Sequence, residues 1–207
     1  MKSSKEKYNS ISFLWAKFQH GDYSILGNIF HNIYNELYYY GLKLVAQPYL
    51  VKDTIQDIFV DIWVRRQGMS KINNIRAYLF VSLKRELIRN AEKIRKENHM
   101  KNCSVEPFVF SPEDFKTSEE TNSNVIKLLV QSMEKLTDRQ REIILLRFNY
   151  ELEFQEIAMI MDMNVQSVRN LLFRALSHIR KVMNNSKLKS TEDIEILLLN
   201  IFHKKSK

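Results

Sequence analysis

Gln166, Ser167, Arg169, Asn170, Phe173 and Arg174 sit within nine consecutive positions and carry the chemistry of base recognition. An arginine can donate two hydrogen bonds to guanine, an amide side chain can pair in the same way with adenine, and an apolar group can meet a thymine methyl. No Asp or Glu lies between Asp162 and Glu192, so nothing in this stretch repels a phosphate backbone. The solvated face of an ordinary helical bundle would use the same residue types. The elements that hold them decide between the two.

Val165, Val168, Leu172, Ala175, Leu176 and Ile179 step by three or four and give the same helix an apolar inner stripe. Asn164 is a good N-cap for it. A short apolar helix precedes it over 155–161, with Ala158 small where two helices must cross. Asp162-Met163-Asn164 forms the turn, and Asp162 occupies the left-handed position where Gly is more usual. Short inner helix, tight turn and capped basic outer helix predict a helix-turn-helix within 136–181, its second helix docked in DNA. Upstream, Thr137 and Gln140 make a capping box for a helix carrying Ile143, Ile144, Leu145, Leu146 and Phe148. Val125, Ile126, Leu128, Leu129, Met133 and Leu136 form the helix before that.

The rest of the 207-residue chain also reads as helical. It has 4 Gly and 3 Pro, with no Gly after Gly68, which argues against sheets joined by tight turns. Phe13, Leu14 and Phe18, then Ile25, Leu26, Ile29, Phe30, Ile33 and Leu37 recur at helical steps. Gly21-Asp22 separates these two helices, and Ala46-Gln47-Pro48 closes the second. A third helix has a stripe of Ile55, Ile58, Phe59, Ile62 and Trp63 and ends at Gly68. A fourth runs from about Ile75 to Lys96. Between Arg65 and Lys96 there are ten Lys or Arg against two Glu, a phosphate-tracking surface with Tyr78 and Phe80 interleaved. From 97 to 124 the periodicity vanishes, and Pro, Ser, Thr and acids predict an extended linker. The expected fold is all-α, two helical domains joined by an acidic linker.

Chemistry other than binding finds no support. One cysteine, Cys103, cannot build a disulfide framework or a thiolate zinc site. The histidines show no metal-ligand spacing, and no phosphate loop or nucleophile elbow is present. No catalytic residue, metal or cofactor is expected. The net charge of +8 and a pI near 9.4 suit a polyanionic partner. No basic-then-apolar leader opens the chain and the apolar stretch at 194–202 is too short to span a bilayer, so a cytoplasmic protein with no stable membrane insertion is expected.

The segments Leu136-Thr137-Asp138-Arg139-Gln140-Arg141-Glu142, Phe154-Gln155-Glu156-Ile157-Ala158, Val165-Gln166-Ser167-Val168-Arg169-Asn170 and Arg174-Ala175-Leu176 together resemble region 4 of bacterial sigma-70 factors. The group most resembled is the two-domain extracytoplasmic-function (ECF) sigma factors. Asp53 and the run 55–63 resemble region 2.2, and 77–83 resembles the region 2.3–2.4 helix. The two motifs stand in the family's order and cover nearly the whole chain except its tail.

That resemblance implies a non-enzymatic subunit that binds core RNA polymerase and directs it to promoters. It implies region 2 over 8–96, the linker over 97–124, region 4 over 125–186 and a tail over 187–207. Gln56, Asp57, Phe59, Asp61 and Trp63 would grip the polymerase clamp, although Phe59 and Trp63 equally suit the core of the bundle. Lys71, Asn73, Asn74, Arg76, Tyr78, Lys84, Arg85 and Arg89 would engage the −10 element, where family members often carry Asn and Asp at the positions of Arg85 and Arg89. The outer face from Gln166 to Arg174 would read the −35 element. Glu106, Glu113, Asp114, Glu119 and Glu120 would enter the RNA path, or serve as a solvated tether. An anti-sigma factor would be a further partner. The apolar tail is expected to pack on the C-terminal domain, with partner or membrane contact as alternatives. The rival reading is a free-standing helix-turn-helix regulator that binds its operator as a dimer.

Overall fold

The computed structural model describes residues 17–18, 22–69, 72, 74–97, 108, 110, 123–183 and 190–203. They divide between two compact units, Met1–Pro107 and Phe108–Lys207. All regular elements among the described residues are helical, so the fold is all-α.

Among the described residues the first unit is built on α1 (Tyr23–Val45), α2 (Pro48–Arg65) and α3 (Ile75–Glu97), each packed on the other two. Asp22 starts α1 by accepting from the Ser24 N–H at 3.1 Å, one of the orphan donors every helix start leaves. Ile25, Ile29, Ile33, Leu37, Tyr40 and Leu44 follow at three- and four-residue steps and are buried. Ala46 ends the helix in the left-handed region at φ 44°, and Pro48 opens the next with its φ already helical. Gly41 lies at the crossing: a Cβ there would come within 2.6 Å of Val51 Cγ1. On α3, Asn74 supplies the cap, its Oδ1 accepting from the Ala77 N–H at 2.9 Å. Ile75, Leu79, Phe80, Leu83 and Leu87 form the buried stripe, with Phe80 against Tyr40.

The second unit contains α4 (Ser123–Glu134), α5 (Asp138–Ile144), a π-helical turn (Leu145–Asn149), α6 (Phe154–Met161), α7 (Val165–Val182) and α8 (Thr191–His203). Thr137 and Gln140 close the expected capping box, with backbone-to-side-chain bonds of 3.3 and 3.0 Å. Residues 142–146 are all buried, which a single face of a regular α-helix cannot achieve. The wider π turn and contacts with α8 on another side accommodate the run. α4, α5, α6 and α8 all pack on α7.

The linker holds two packed residues, and the tail is a packed helix. Phe108 and Phe110, expected in the tether at 97–124, are buried in the second unit. The Phe108 N–H donates to Asp138 Oδ1 at 3.1 Å, and the Phe110 ring meets Phe202 at 6.3 Å. The acidic composition around these residues concealed two aromatic side chains, each worth about 1.5–3 kcal/mol when buried. The tail forms α8, with Ile194, Leu198, Ile201 and Phe202 buried and the helix packed on α7 and the π turn. No helix among the described residues is long and apolar enough to cross a membrane.

Candidate nucleic-acid interface

α6 and α7 form the helix-turn-helix. The Glu153 N–H donates to Glu156 Oε2 at 2.6 Å at the start of α6. Ala158, buried at the crossing, lets α7 approach. Asp162 turns the chain at φ 51° and ψ 57°, and the Met163 N–H closes back on the Ala158 carbonyl at 2.9 Å. Asn164 then caps α7, its Oδ1 accepting from the Ser167 N–H at 2.7 Å. Val168, Leu172, Ala175, Leu176 and Ile179 point inward, as their spacing predicts.

The opposite face brings the expected residues together. Gln166, Arg169, Asn170, Phe173 and Arg174 are exposed and Ser167 is half-buried. Gln166 Nε2 donates to Asn170 Oδ1 at 3.2 Å, so two amides lie in one line along the helix. Phe173 is 63% exposed, a large apolar ring in water among polar neighbours. This face can offer forked donors, paired amides and an apolar contact to base edges from the positive end of a helix dipole. Two residues outside this set join it: the guanidinium carbons of Arg169 and Arg147 lie 5.3 and 4.9 Å from the centre of the Phe154 ring. No spacing rule would have paired Arg147 with Phe154, because a left-handed Glu151 at φ 53° folds the chain between them.

In the first unit the outward face of α2 carries Gln56, Asp57, Asp61, Val60 and Val64. Val60 and Val64 are 54% and 69% exposed. Carboxylates alternating with apolar groups suit a basic partner helix. Phe59 is not part of this face: it is buried, with its ring edge-on to Phe30 at 5.0 Å. The apolar contacts available on α2 are therefore the valines, which helical periodicity places one position from the buried stripe. Trp63 is half-buried, between Phe18 at 5.9 Å and the Arg66 guanidinium at 4.0 Å.

Among the residues expected at the −10 element, Lys71 and Asn73 lie outside the described residues. Asn74 is occupied as the α3 cap. Arg76 is a correction: it is 4% exposed and its Nη2 and Nε reach Glu36 Oε2 at 2.7 and 3.1 Å, which ties α3 to α1. A buried guanidinium needs such a partner, and in this place it does not face nucleic acid. Tyr78, Arg85 and Arg89 do converge. With Ser82, Asn90, Asp57 and Asp61 they line an open groove of about 700 Å³ between α2 and α3. Its charges are balanced by neighbours, with Arg65 on Asp61 at 2.6 Å and Arg89 on Glu86. Such exposed pairs contribute only a few tenths of a kcal/mol, so a phosphate could displace either carboxylate. Lys84 is half-buried on α3, away from the groove lining.

Residues 126–179 match the family described as Sigma-70, region 4, and so span most of α4 through α7. No curated protein sequence matches the chain. Its fold is similar to the sigma factor RpoE from Bartonella quintana, solved with the anti-sigma factor NepR. The TM-score is 0.54 and the identity 16%, over 78% of this chain and 98% of that one. It is also similar to CnrH, solved with the cytosolic domain of CnrY, at a TM-score of 0.55 and 17% identity over 85% and 98%. The matched segment of the second unit thus resembles a sigma region 4 domain and contains the helix-turn-helix.

Proposed function

We propose that this protein is an ECF-type sigma factor: it binds core RNA polymerase in the cytoplasm, without catalytic residues of its own, and directs promoter recognition and melting. The observation that carries this reading is the exposed, acid-free face of α7 within a region 4 domain. Gln166, Ser167, Arg169, Asn170, Phe173 and Arg174 read the −35 element. Tyr78, Arg85 and Arg89, with Lys71 and Asn73 earlier in the sequence, engage the −10 element. Gln56, Asp57 and Asp61, joined by Val60 and Val64, meet the polymerase clamp. An anti-sigma factor binds the chain, as NepR is found bound to the sigma factor RpoE in its solved complex.

Transcription in vitro with bacterial core polymerase and a genomic library tests this. Core enzyme plus the chain should initiate at a defined promoter set, while the chain alone binds those promoters poorly. Tight sequence-specific binding without core, and no stimulation of core, would identify a free-standing regulator instead.

A further inference from the structure

Arg169 is the forked donor nearest the start of α7, and a base-reading arginine is effective only when its long side chain is held in one arrangement. Nothing on α7 itself does this. Its neighbour Asn170 is engaged by Gln166, and Asn164 is spent on the cap. The ring that Arg169 meets comes from α6: Phe154, half-buried at the first position of that helix, 5.3 Å from the guanidinium carbon. Arg147 reaches the same ring at 4.9 Å and is anchored by donating from Nη1 to the Leu152 carbonyl at 2.9 Å. The ring is therefore fixed by its helix and by an anchored cation, while Arg169 is exposed.

We infer that Phe154 is a positioning residue for −35 recognition, holding the Arg169 guanidinium against its ring in the free protein so that the fork is set before DNA arrives. The inference rests on the promoter-reading assignment above. A guanidinium over an aromatic ring at an exposed site is stabilised modestly, so the loss on removing the ring should be about two- to fivefold in affinity. Leucine would keep most of the apolar contact of Phe154 but not the ring face. Tyrosine would keep both.

The experiment compares Phe154→Leu and Phe154→Tyr in the full chain, each with Arg169 intact and with Arg169→Ala. Holoenzyme binding to a cognate promoter and to −35 variants is measured, with melting temperature alongside. Phe154→Leu should weaken binding and relax discrimination at one −35 position while Phe154→Tyr retains both. In the Arg169→Ala background Phe154→Leu should have no further effect. An equal loss in both backgrounds would overturn the inference, since Phe154 would then act through packing or its own contact. NMR of the DNA-free chain gives a readout independent of promoters: the Arg169 δ-methylene signals should be ring-shifted in the wild type and shift back in Phe154→Leu. Unshifted wild-type signals would also overturn it. A wild-type holoenzyme blind to the −35 sequence, with those signals shifted, would instead overturn the promoter-reading assignment.

Discussion

Single side chains in this protein divide by whether water can replace their partner. Arg76 is nearly sealed from solvent, whereas Glu36 retains 26% exposure of its side chain. Glu36→Ala therefore removes both carboxylate hydrogen bonds of a buried cation and should destabilise the first unit by about 2–4 kcal/mol, while Arg76→Met leaves a carboxylate that can hydrate and should cost less. Urea unfolding of the two variants gives the order directly. On α7 the same logic predicts little stability change and a large functional one. Arg174→Ala should leave the melting temperature nearly unchanged and cost about 1–3 kcal/mol of promoter binding, with tolerance gained at one −35 position. A uniform loss across promoter sequences would make Arg174 a phosphate anchor. Sequence alone sorted α7 correctly because capping, periodicity and charge agree there. It misplaced Arg76 because an arginine at the start of a basic helix looks the same whether its partner is a phosphate or a carboxylate forty residues upstream.

At the scale of elements, helix boundaries were legible wherever a local signal set them. Asp22, Pro48, Thr137 and Asn164 each satisfy backbone donors or preset a dihedral within a few residues. The π turn was not legible, since consecutive apolar residues 142–146 suit any buried helix and only tertiary packing widens the coil. Nor was the docking of Phe108 and Phe110, which depends on Asp138 thirty residues on and on α8 arriving from the far end of the chain. Removing residues after Ser190 should therefore do more than shorten a tail. Four buried apolar side chains leave with α8, and the second unit should melt roughly 10 °C or more lower. An unchanged melting temperature would rule out a packing role for α8. In the first unit Gly41→Ala sets a gain in helix propensity of about 1 kcal/mol against overpacking on the stiff, fully buried Val51. With a 2.6 Å approach the clash wins, and calorimetry should show a net loss of about 1–2 kcal/mol.

For the molecule as a whole, the excess of positive charge is placed to different ends in the two units. In the second unit Arg169, Arg174, Arg180 and Lys181 share one helix free of acids, which suits base readout. The first interleaves Arg65, Arg85 and Arg89 with Asp57, Asp61 and Glu86 around the groove between α2 and α3. Arg85→Ala and Arg89→Ala should accordingly weaken holoenzyme binding about equally on all promoters and lower the dependence on salt concentration by about one unit of slope each. Titrating potassium chloride into a fluorescent promoter complex measures that slope.

The helix proposed to face DNA is also the spine on which α4, α5, α6 and α8 all lean. Its inward residues answer to four neighbours at once and have little freedom to change. Its outward residues answer to solvent and to whatever sequence they read. Mutational drift can therefore retarget the protein to new sites without passing through an unfolded intermediate, and a designer wishing to rewrite its address need alter only one side of a single helix.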